Sequence, residues 1–335
     1  MSPLPSPPAN PCRKRQCALP RAKPLVPRPR SLPTGSGCAL PTIAELSRRI
    51  ELALGNNGER MQENVCSQQL RRCLVPPAGS DHSRFECAGG FRELFAGGGG
   101  ITADLRKHGE TDCIPYEAFP ESLDDSGLKA LRYCAQFDIL CPMVLLSLLL
   151  DIYGRVVTRL HLGPPCQTWG LLFQNMGPGT RKDNLWQGRC VDEREIRGNR
   201  TMGATLLLLR AVWECSGRAS LEHPLTSRIW KLAGVRALGG LPGIRIERID
   251  QCAFDLKPGD DTTGVARYYK PTKILLCGHG VFNARLCDRT HPHTQILGSY
   301  ATTDASGKSK RVQRSHEAGA YPPPLCKALG AFQRV

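Results

Sequence analysis

From about Phe85 onward, short runs of apolar and β-branched residues alternate with segments of helical spacing, and this alternation constrains the fold most. Strands that alternate with helices build a parallel sheet, because each helix carries the chain back to the starting edge of the sheet. The pattern predicts an α/β domain with a mostly parallel sheet and helices on both faces. The predicted strands cover 91–96, 112–116, 155–162 and 218–221, and the predicted helices cover 102–108, 142–153 and a segment beginning near 199.

The chain before this domain has two parts that differ in composition. Residues 1–40 are rich in proline, basic and poor in large apolar side chains, which predicts a disordered tail. Residues 41–85 are predicted to form a helical extension, which opens on a capping box made by Thr42 and Glu45. Two helices are expected there, over residues 43–54 and 59–74.

The composition indicates a polyanionic partner and a reducing compartment. The formal net charge is +15, and nucleic acid is the first candidate partner for a chain with that charge. The 16 cysteines are irregularly spaced and follow no secretory signal, so an intracellular site, nuclear or cytoplasmic, with free thiols is the simpler interpretation. The basic amino terminus leaves an organelle address open. No apolar run reaches the length of a membrane span, so no membrane partner is expected, and the oligomeric state is left open.

One cysteine lies where an enzyme would hold a nucleophile. The predicted strand 155–162 leads into the sequence Gly-Pro-Pro-Cys-Gln, in which the cysteine is Cys166. The two prolines end the strand pairing because neither can donate a ladder hydrogen bond. Cys166 is therefore expected on a stiff turn at the carboxyl end of a strand, where open α/β sheets bind ligands. This position favours a catalytic thiol over an ordinary loop cysteine.

Four consecutive glycines, 97–100, lie between a predicted strand and a predicted helix. Glycines in this position let the backbone turn tightly and approach a ligand with no Cβ in the way. Glu117 follows the next strand, about 20 residues on, where an acid would bind ribose hydroxyls. The combination favours a nucleoside cofactor over a flexible surface loop.

Glu222 is a second acid that follows a predicted strand, and it is expected at the same sheet edge as Cys166. A thiolate and a carboxylic acid together could attack a heteroaromatic ring and protonate it. Taken alone, Glu222 would more simply be a solvated loop acid or a helix cap.

At these positions the chain resembles the cytosine-5 methyltransferases. Phe95-Ala96-Gly97-Gly98-Gly99 is similar to their cofactor-binding glycine motif, and Pro165-Cys166-Gln167 is similar to their nucleophile motif. Glu222 corresponds to the glutamate that follows their next strand, and Ala320–Leu325 is similar to their last motif. The four similarities occur in the family's order and cover about Phe91 to Phe332. The individual motifs are specific only in combination.

The resemblance implies a Rossmann-like, S-adenosylmethionine-dependent methyltransferase fold over residues 86–335 and methylation of carbon 5 of cytosine, in DNA first and RNA as the alternative. Cys166 would add to carbon 6 of the ring while Glu222 stabilises a proton on nitrogen 3, and the target base would be flipped out of its stack. Glu117 would hold the ribose of the cofactor, and Asp138, at a further predicted strand end, would contact its adenine. The residues implied to bind S-adenosylmethionine are Phe95, Ala96, Gly97, Gly98, Gly99, Glu117, Asp138, Pro165 and Ala320.

The chain departs from the family at several positions. His223 stands where the family has asparagine, and the family's paired arginines fall on Pro271 and Lys273. We place Lys273 among the catalytic residues, although lysine supplies charge without the planar fork of arginine. Residues 276–318 form a short insert in place of a full target-recognition domain.

These departures support an alternative function. The chain could be a catalytically degenerate, methyltransferase-like protein that binds nucleic acid, for example in association with a mobile element. A third interpretation, an unrelated nucleoside-binding α/β protein, would require four similarities in the right order to be coincidental.

The short insert also contains residues that could bind zinc. Four ligands could come from the set Cys277, His279, Cys287, His291 and His293. The spacing is not a standard one, so the alternative is that the histidines are ordinary loop residues.

The stretch 181–200 carries six basic residues among four acids and follows the candidate nucleophile. One interpretation is a mobile loop that closes over a nucleic-acid backbone and makes phosphate contacts. The other is a solvated loop of mixed charge.

Overall fold

A central sheet of six strands organises the computed structural model, which describes residues 41–55, 89–118, 121–123, 129–131, 135–176, 179–181, 186–303 and 307–334. The strands are β1 (Gly90–Leu94), β2 (Cys113–Tyr116), β3 (Glu121–Leu123), β4 (Lys129–Leu131), β5 (Val157–Leu162), β6 (Arg218–Pro224), β7 (Ile244–Asp250), β8 (Arg267–Tyr268), β9 (Pro271–Cys277), β10 (His293–Thr294), β11 (Ser299–Thr303) and β12 (Ser309–Gln313). The α-helices are α1 (Ile43–Leu54), α2 (Gly100–Lys107), α3 (Pro142–Tyr153), α4 (Leu171–Met176), α5 (Glu193–Glu214), α6 (Ala233–Gly239), α7 (Arg314–Glu317) and α8 (Pro323–Gln333).

The strand order in the central sheet is β2-β1-β5-β6-β9-β7. Each pair among the first four strands is parallel, whereas β9 is antiparallel to both of its neighbours, β6 and β7. Five strands therefore run in one direction and β9 runs against them. The molecule is an α/β protein with a mostly parallel sheet, as the sequence predicts, and this architecture is compatible with a Rossmann-like fold.

Helices cover both faces of the sheet. On one face, α1, α3, α5 and α6 pack over Leu160 and Leu162 of β5 and form the larger apolar core. On the other face, α2 and α8 pack against each other over Phe91 and Ile274. Because successive side chains of a strand point to opposite faces, His161 of β5 faces the second layer, beside α8.

Two helices match the bounds predicted from sequence. In α1 the hydroxyl of Thr42 accepts a hydrogen bond from the backbone N–H of Glu45, and Gly55 ends the helix with a positive φ of 60°. Helix α3 begins at Pro142, a position that has no intrahelical hydrogen-bond partner for an N–H and so suits proline. Local end signals were sufficient for both helices.

Other elements differ from the predictions. Asp138 directly follows a 3₁₀ turn, Ala135–Phe137, and not a strand. Glu222 lies within β6 rather than after it, because the reversed strand β9 supplies backbone partners as far as Pro224. Helix α5 begins at Glu193, six residues before the expected start, because Asp192 caps it by accepting the N–H of Arg194. The predicted tail 1–40 and the predicted helix 59–74 lie outside the described residues.

Within the described part of the chain, no helix combines the length and the apolar character that crossing a bilayer requires.

Candidate active site

The strand order reverses between β1 and β5, since β2 lies beyond β1 and β6 lies beyond β5. Connections that leave two such strands diverge to opposite faces, and the crevice between them is where open α/β sheets bind ligands. The glycine loop follows β1 and Cys166 follows β5, so both motifs border this crevice. The N–H of Gly163 donates to the carbonyl of Leu94 over 3.2 Å and ties the two strand ends together.

The glycine loop leaves β1 through a series of left-handed backbone conformations. The φ angles are 60° at Phe95, 51° at Gly97 and 64° at Gly99. Of these three residues of the loop, Phe95 is the one that is not glycine. The N–H of Gly97 donates to the carboxylate of Glu117 over 3.1 Å, which joins two of the predicted cofactor residues. A Cβ added to Gly97 or Gly98 would meet nothing within 4 Å, so this part of the loop has room for a ligand.

Glu93, a buried acid that the sequence motifs did not single out, closes the base of the glycine loop. Its carboxylate accepts the backbone N–H of Thr102 at 2.7 Å and that of Ile101 at 3.3 Å, in the first turn of α2. Burial raises the pKa of Glu93, and the hydrogen bonds from Thr102 and Ile101 lower it. Because Glu93 occupies these donors, an anion would find only the remaining N–H groups of the loop open to it.

Cys166 lies exposed on the turn after β5. Its carbonyl accepts the N–H groups of Trp169 and Gly170 at 3.0 and 3.1 Å, which fixes a short turn. Although the residue is open to solvent on one side, the protein around the thiol desolvates it and raises its pKa. The positive charge of Lys270 lowers the same pKa, and the charge of Glu222 raises it. The thiol therefore lies within electrostatic range of both side chains.

Glu222 is buried, and three side chains hold its carboxylate. The Nε2 of Gln251 donates to Oε1 over 3.1 Å, and the hydroxyl of Tyr321 donates to Oε2 over 3.2 Å. The Nζ of Lys270 lies 3.9 Å from Oε1. The orientation of the carboxylate is thus fixed by partners from three separate parts of the chain.

The positive charge at the site belongs to Lys270 and not to Lys273. In the β6–β9 pair, Glu222 lies opposite Ile274 while His223 lies opposite Lys273, so the side chain of Lys273 points to the other face of the sheet. There its Nζ lies 5.8 Å from the ring centre of Trp230. The structure does not bring Lys273 to Cys166 and Glu222, which corrects the prediction that it joins them.

A series of hydrogen-bonded, buried polar side chains extends from Glu222 along the face of the sheet that α8 covers. The oxygen of Tyr321 lies 3.1 Å from Nε2 of His161, whose Nδ1 lies 2.8 Å from the hydroxyl of Ser220, and that hydroxyl accepts from Gln333 over 3.1 Å. Burial lowers the pKa of His161 to about 3 and raises that of Tyr321 well above its usual value, so both are neutral. A proton on Nε2 of His161 lets every donor in this series find an acceptor, and it directs the Tyr321 hydroxyl towards Glu222.

The last motif reaches the site through Tyr321, which sequence reasoning did not assign a role. Gly163, at the end of β5, passes so close that an added Cβ would lie 2.6 Å from the Tyr321 hydroxyl oxygen. Helix α8 then packs on α2, where a Cβ on Gly100 would lie 2.5 Å from Sγ of Cys326. Ala320, a predicted cofactor residue, is exposed beside Tyr321. The motif therefore folds back onto the helix that follows the glycine loop.

Two other predicted cofactor residues have different surroundings. Asp138 is buried, with Oδ1 accepting the N–H of Leu140 at 2.9 Å and Oδ2 lying 3.9 Å from Arg197, so its carboxylate caps the turn before α3. Pro165 is exposed next to Cys166.

His223, where the family has asparagine, is fully buried; burial, and then the charge of Lys270, lower its pKa to about 3.

The stretch after the nucleophile is anchored by a buried ion pair and is not simply a solvated loop. The guanidinium of Arg181 stacks 3.4 Å from the ring centre of Trp169, donates to the carbonyl of Thr168 at 3.0 Å and lies 4.0 Å from the buried carboxylate of Glu195. Burial lowers the pKa of Arg181 to about 10. Arg181 is therefore not available for phosphate contacts and instead fixes the residues that follow Cys166.

Three of the predicted zinc ligands come together, and the fourth partner is one that the sequence did not suggest. Cys287, His291 and His293 lie in one group with Cys252. Cys277 is instead buried in β9, with Sγ 3.9 Å from the carbonyl of Gly217, and His279 lies outside the group.

Comparison of the chain with models of known protein families gives no match, and a search of curated proteins also finds none.

Replacing Lys270 with methionine is expected to make Cys166 less reactive at neutral pH. Removing a positive charge that favours the thiolate raises the thiol pKa further, so alkylation by iodoacetamide should slow several-fold near pH 7.5 and its pH profile should move to higher pH. Mass spectrometry of the peptide containing Cys166 measures this rate separately from the other cysteines. Lys273→Met is the matched control, and equal slowing in both variants would contradict the assignment of Lys270.

Proposed function

We propose that the protein transfers a methyl group from S-adenosylmethionine to carbon 5 of cytosine in a nucleic acid, with DNA as the first substrate class and RNA as the second. The observation that carries this proposal is the meeting of Cys166 and Glu222 at one sheet edge, within electrostatic range of each other, beside a glycine loop at the strand-order reversal. A nucleophilic thiol and an oriented carboxyl group are what this reaction needs from a protein.

The glycine loop fits the cofactor that this chemistry requires. Gly97 and Gly98 have open space where a side chain would be, and Glu117 already contacts the backbone of the loop, as a ribose-binding acid would. Bound there, S-adenosylmethionine would supply an electrophilic methyl group.

The residues of the chain would supply the remaining steps. The Cys166 thiolate forms a bond to carbon 6 of cytosine, and the electron pair of the 5,6 double bond moves into the ring as a proton is held at nitrogen 3 by Glu222. Gln251 and Tyr321 keep Glu222 in place, and Lys270 favours the thiolate. Transfer of the methyl group to carbon 5 would leave S-adenosylhomocysteine as the second product. Water then takes the proton of carbon 5, the electron pair of that C–H bond restores the 5,6 double bond, and the bond between sulfur and carbon 6 breaks to release the Cys166 thiolate.

A second candidate function is nucleic-acid binding without methyl transfer. It is favoured by the position of Lys273, which lies on the far face of the sheet beside Trp230. Among the described residues, this leaves Lys270 as the one lysine whose charge lowers the pKa of Cys166. The burial of Arg181 also removes one of the basic groups that a substrate-gripping loop would use. The two candidates differ in one measurable respect, which is whether Cys166 forms a covalent bond to cytosine.

The experiment is to trap that bond. Full-length protein is incubated with labelled S-adenosylmethionine and a duplex of random sequence in which every cytosine is 5-fluorocytosine, or with the matching RNA. Fluorine cannot leave carbon 5 as a proton does, so a methylated covalent complex should accumulate and survive denaturation. The random sequence removes the need to know the target context.

Cys166→Ser should abolish the complex, and Cys141→Ser is the matched control that should leave it unchanged. The preference between DNA and RNA follows from which of the two nucleic acids forms the covalent complex. Cofactor binding without any trapped complex, on both nucleic acids, would support the second candidate function instead.

A further inference from the structure

Four side chains with nitrogen or sulfur ligand atoms converge beyond the end of β7. The ligand atoms of Cys252, Cys287, His291 and His293 all lie within 4.8 Å of one another. The Sγ of Cys287 lies 3.3 Å from Nε2 of His293 and 3.7 Å from Nε2 of His291. Zinc–sulfur bonds of about 2.3 Å and zinc–nitrogen bonds of about 2.0–2.1 Å put sulfur and nitrogen about 3.5 Å apart in a tetrahedron. The two observed sulfur–nitrogen distances, 3.3 and 3.7 Å, lie on either side of this value.

The four ligands come from two separate parts of the fold. Cys252 is buried in the 3₁₀ turn Gln251–Phe254 that follows β7. Cys287 and His291 lie in the connection 278–292, and His293 begins β10, which pairs with β8. An ion bound by all four would therefore tie the connection to the end of β7.

Hydrogen bonds from neighbouring groups hold Cys287 in position. The backbone N–H of Arg289 donates to its sulfur over 3.2 Å, which stabilises negative charge there. The N–H of Cys287 itself donates to the buried carboxylate of Asp250 over 3.0 Å. The rings of His291 and His293 lie 4.8 Å apart at an angle of 82°, so their Nε2 atoms reach the same sulfur without stacking.

The connection 278–292 is held by hydrogen bonds at isolated points, among them that from the N–H of Asp250 to the carbonyl of Arg285 at 2.9 Å. It contains neither helix nor strand over fifteen residues, a length that is uncommon for an ordered connection without a functional or structural tie. It also exposes large apolar side chains, with Val281 78% and Leu286 59% exposed, so it buries few apolar groups of its own. A metal ion would add a cross-link between this connection and the 3₁₀ turn after β7.

We propose that Cys252, Cys287, His291 and His293 bind one zinc ion in a closed, structural site. Two thiolates and two imidazoles suit zinc and not magnesium or calcium, which prefer oxygen ligands. Four protein ligands leave no open position for a substrate, so the ion has no catalytic role. Its effect on the rest of the molecule is positional, because Cys252 directly follows Gln251, which donates to Glu222.

The first test is the metal content and ligand set of the full chain, purified from cells grown with zinc. One zinc per chain is expected, and X-ray absorption at the zinc edge should report two sulfur and two nitrogen neighbours. Cobalt that replaces the zinc should give the visible bands of a tetrahedral ion with thiolate ligands. Protein free of zinc, with no tetrahedral cobalt spectrum, would overturn the proposal, and so would zinc with four sulfur ligands.

The second test locates the site. Cys287→Ser and His293→Gln should each lose the stoichiometric zinc, whereas His279→Gln, an exposed histidine of the same connection, should keep it. In the wild-type chain, a strong chelator should increase proteolytic cleavage within 278–292, and added zinc should reverse this. Unchanged cleavage, or zinc retained in both ligand variants, would show that the ion binds elsewhere. None of these readouts depends on methyl transfer, so they are independent of the proposed function.

Discussion

Replacing Glu222 with glutamine is expected to slow methyl transfer by about 10²–10⁴-fold, the usual contribution of a positioned proton donor. The change keeps the size and planarity of the side chain, and its oxygen can still accept from Gln251, whose Nε2 lies 3.1 Å from Oε1 in the wild type. What it removes is the ability to hold a proton at nitrogen 3 of cytosine. The loss should therefore appear in kcat more than in KM, because the affected interaction strengthens as the transition state forms.

The measurement is the rate of label transfer from S-adenosylmethionine to DNA under multiple-turnover conditions over a range of DNA concentrations, which gives kcat and KM separately. Glu247→Gln is the matched control, since Glu247 lies in β7, two strands from Glu222 in the same sheet, and pairs with Arg245 at 3.5 Å. The unfolding midpoint of the Glu222→Gln protein should stay close to that of the wild type. Wild-type rates in this variant would remove Glu222 from the proposed chemistry.

Replacing Arg181 with leucine is expected to lower the free energy of unfolding by about 3–5 kcal/mol, the cost of breaking a buried ion pair from one side. Both side chains of the pair are fully buried, so the change leaves the Glu195 carboxyl group buried without its cation. It also removes the hydrogen bonds to Thr168 and to Asn199, which measure 3.0 and 2.7 Å. The turn that holds Cys166 would lose its support at the same time.

Urea titration followed by tryptophan fluorescence measures this loss, because Trp169 reports on the environment of the ion pair. Arg189→Leu removes an exposed arginine from the same stretch and should change stability by no more than about 0.5 kcal/mol. The double variant with Glu195→Gln should recover part of the loss, since the stranded carboxylate is then gone. If the two arginine substitutions cost the same, Arg181 is not a structural residue.

Short-range sequence signals were enough for α1 and α3 and for the loops that carry the candidate site. Thr42 and Pro142 mark helix starts through local hydrogen-bonding needs, and these needs do not depend on the rest of the fold. The glycine loop and Cys166 follow strands that are apolar enough to be recognised from composition. The crevice between them then follows from the general behaviour of parallel sheets.

The residues that complete the site come from long-range pairings, which sequence patterns do not encode. Lys270, Gln251 and Tyr321 reach Glu222 only because β9 is reversed and the last helix returns to the glycine loop. The same reversal extends β6 past Glu222 and turns Lys273 away. Cys252 lies 35 residues before Cys287, so no local spacing could join them. A charged arginine such as Arg181 is predicted on the surface unless its buried partner is known.

The reversed strand also leaves one part of the chain free to change in length. Because β9 runs against β7, Asp250 at the end of one strand lies opposite Pro271 at the start of the other, and the N–H of Gln251 donates to the carbonyl of Lys270 over 3.0 Å. The segment between Gln251 and Lys270 therefore leaves the sheet and returns to it at the same point. Doubling the length of such a closed loop costs only about 0.6 kcal/mol in chain entropy. Asp260 pairs with Arg314 and the N–H of Gly259 donates to Glu317, whereas residues 262–265 are exposed. An additional module inserted at 262–265 would therefore leave Gln251 and Lys270 in place beside Glu222.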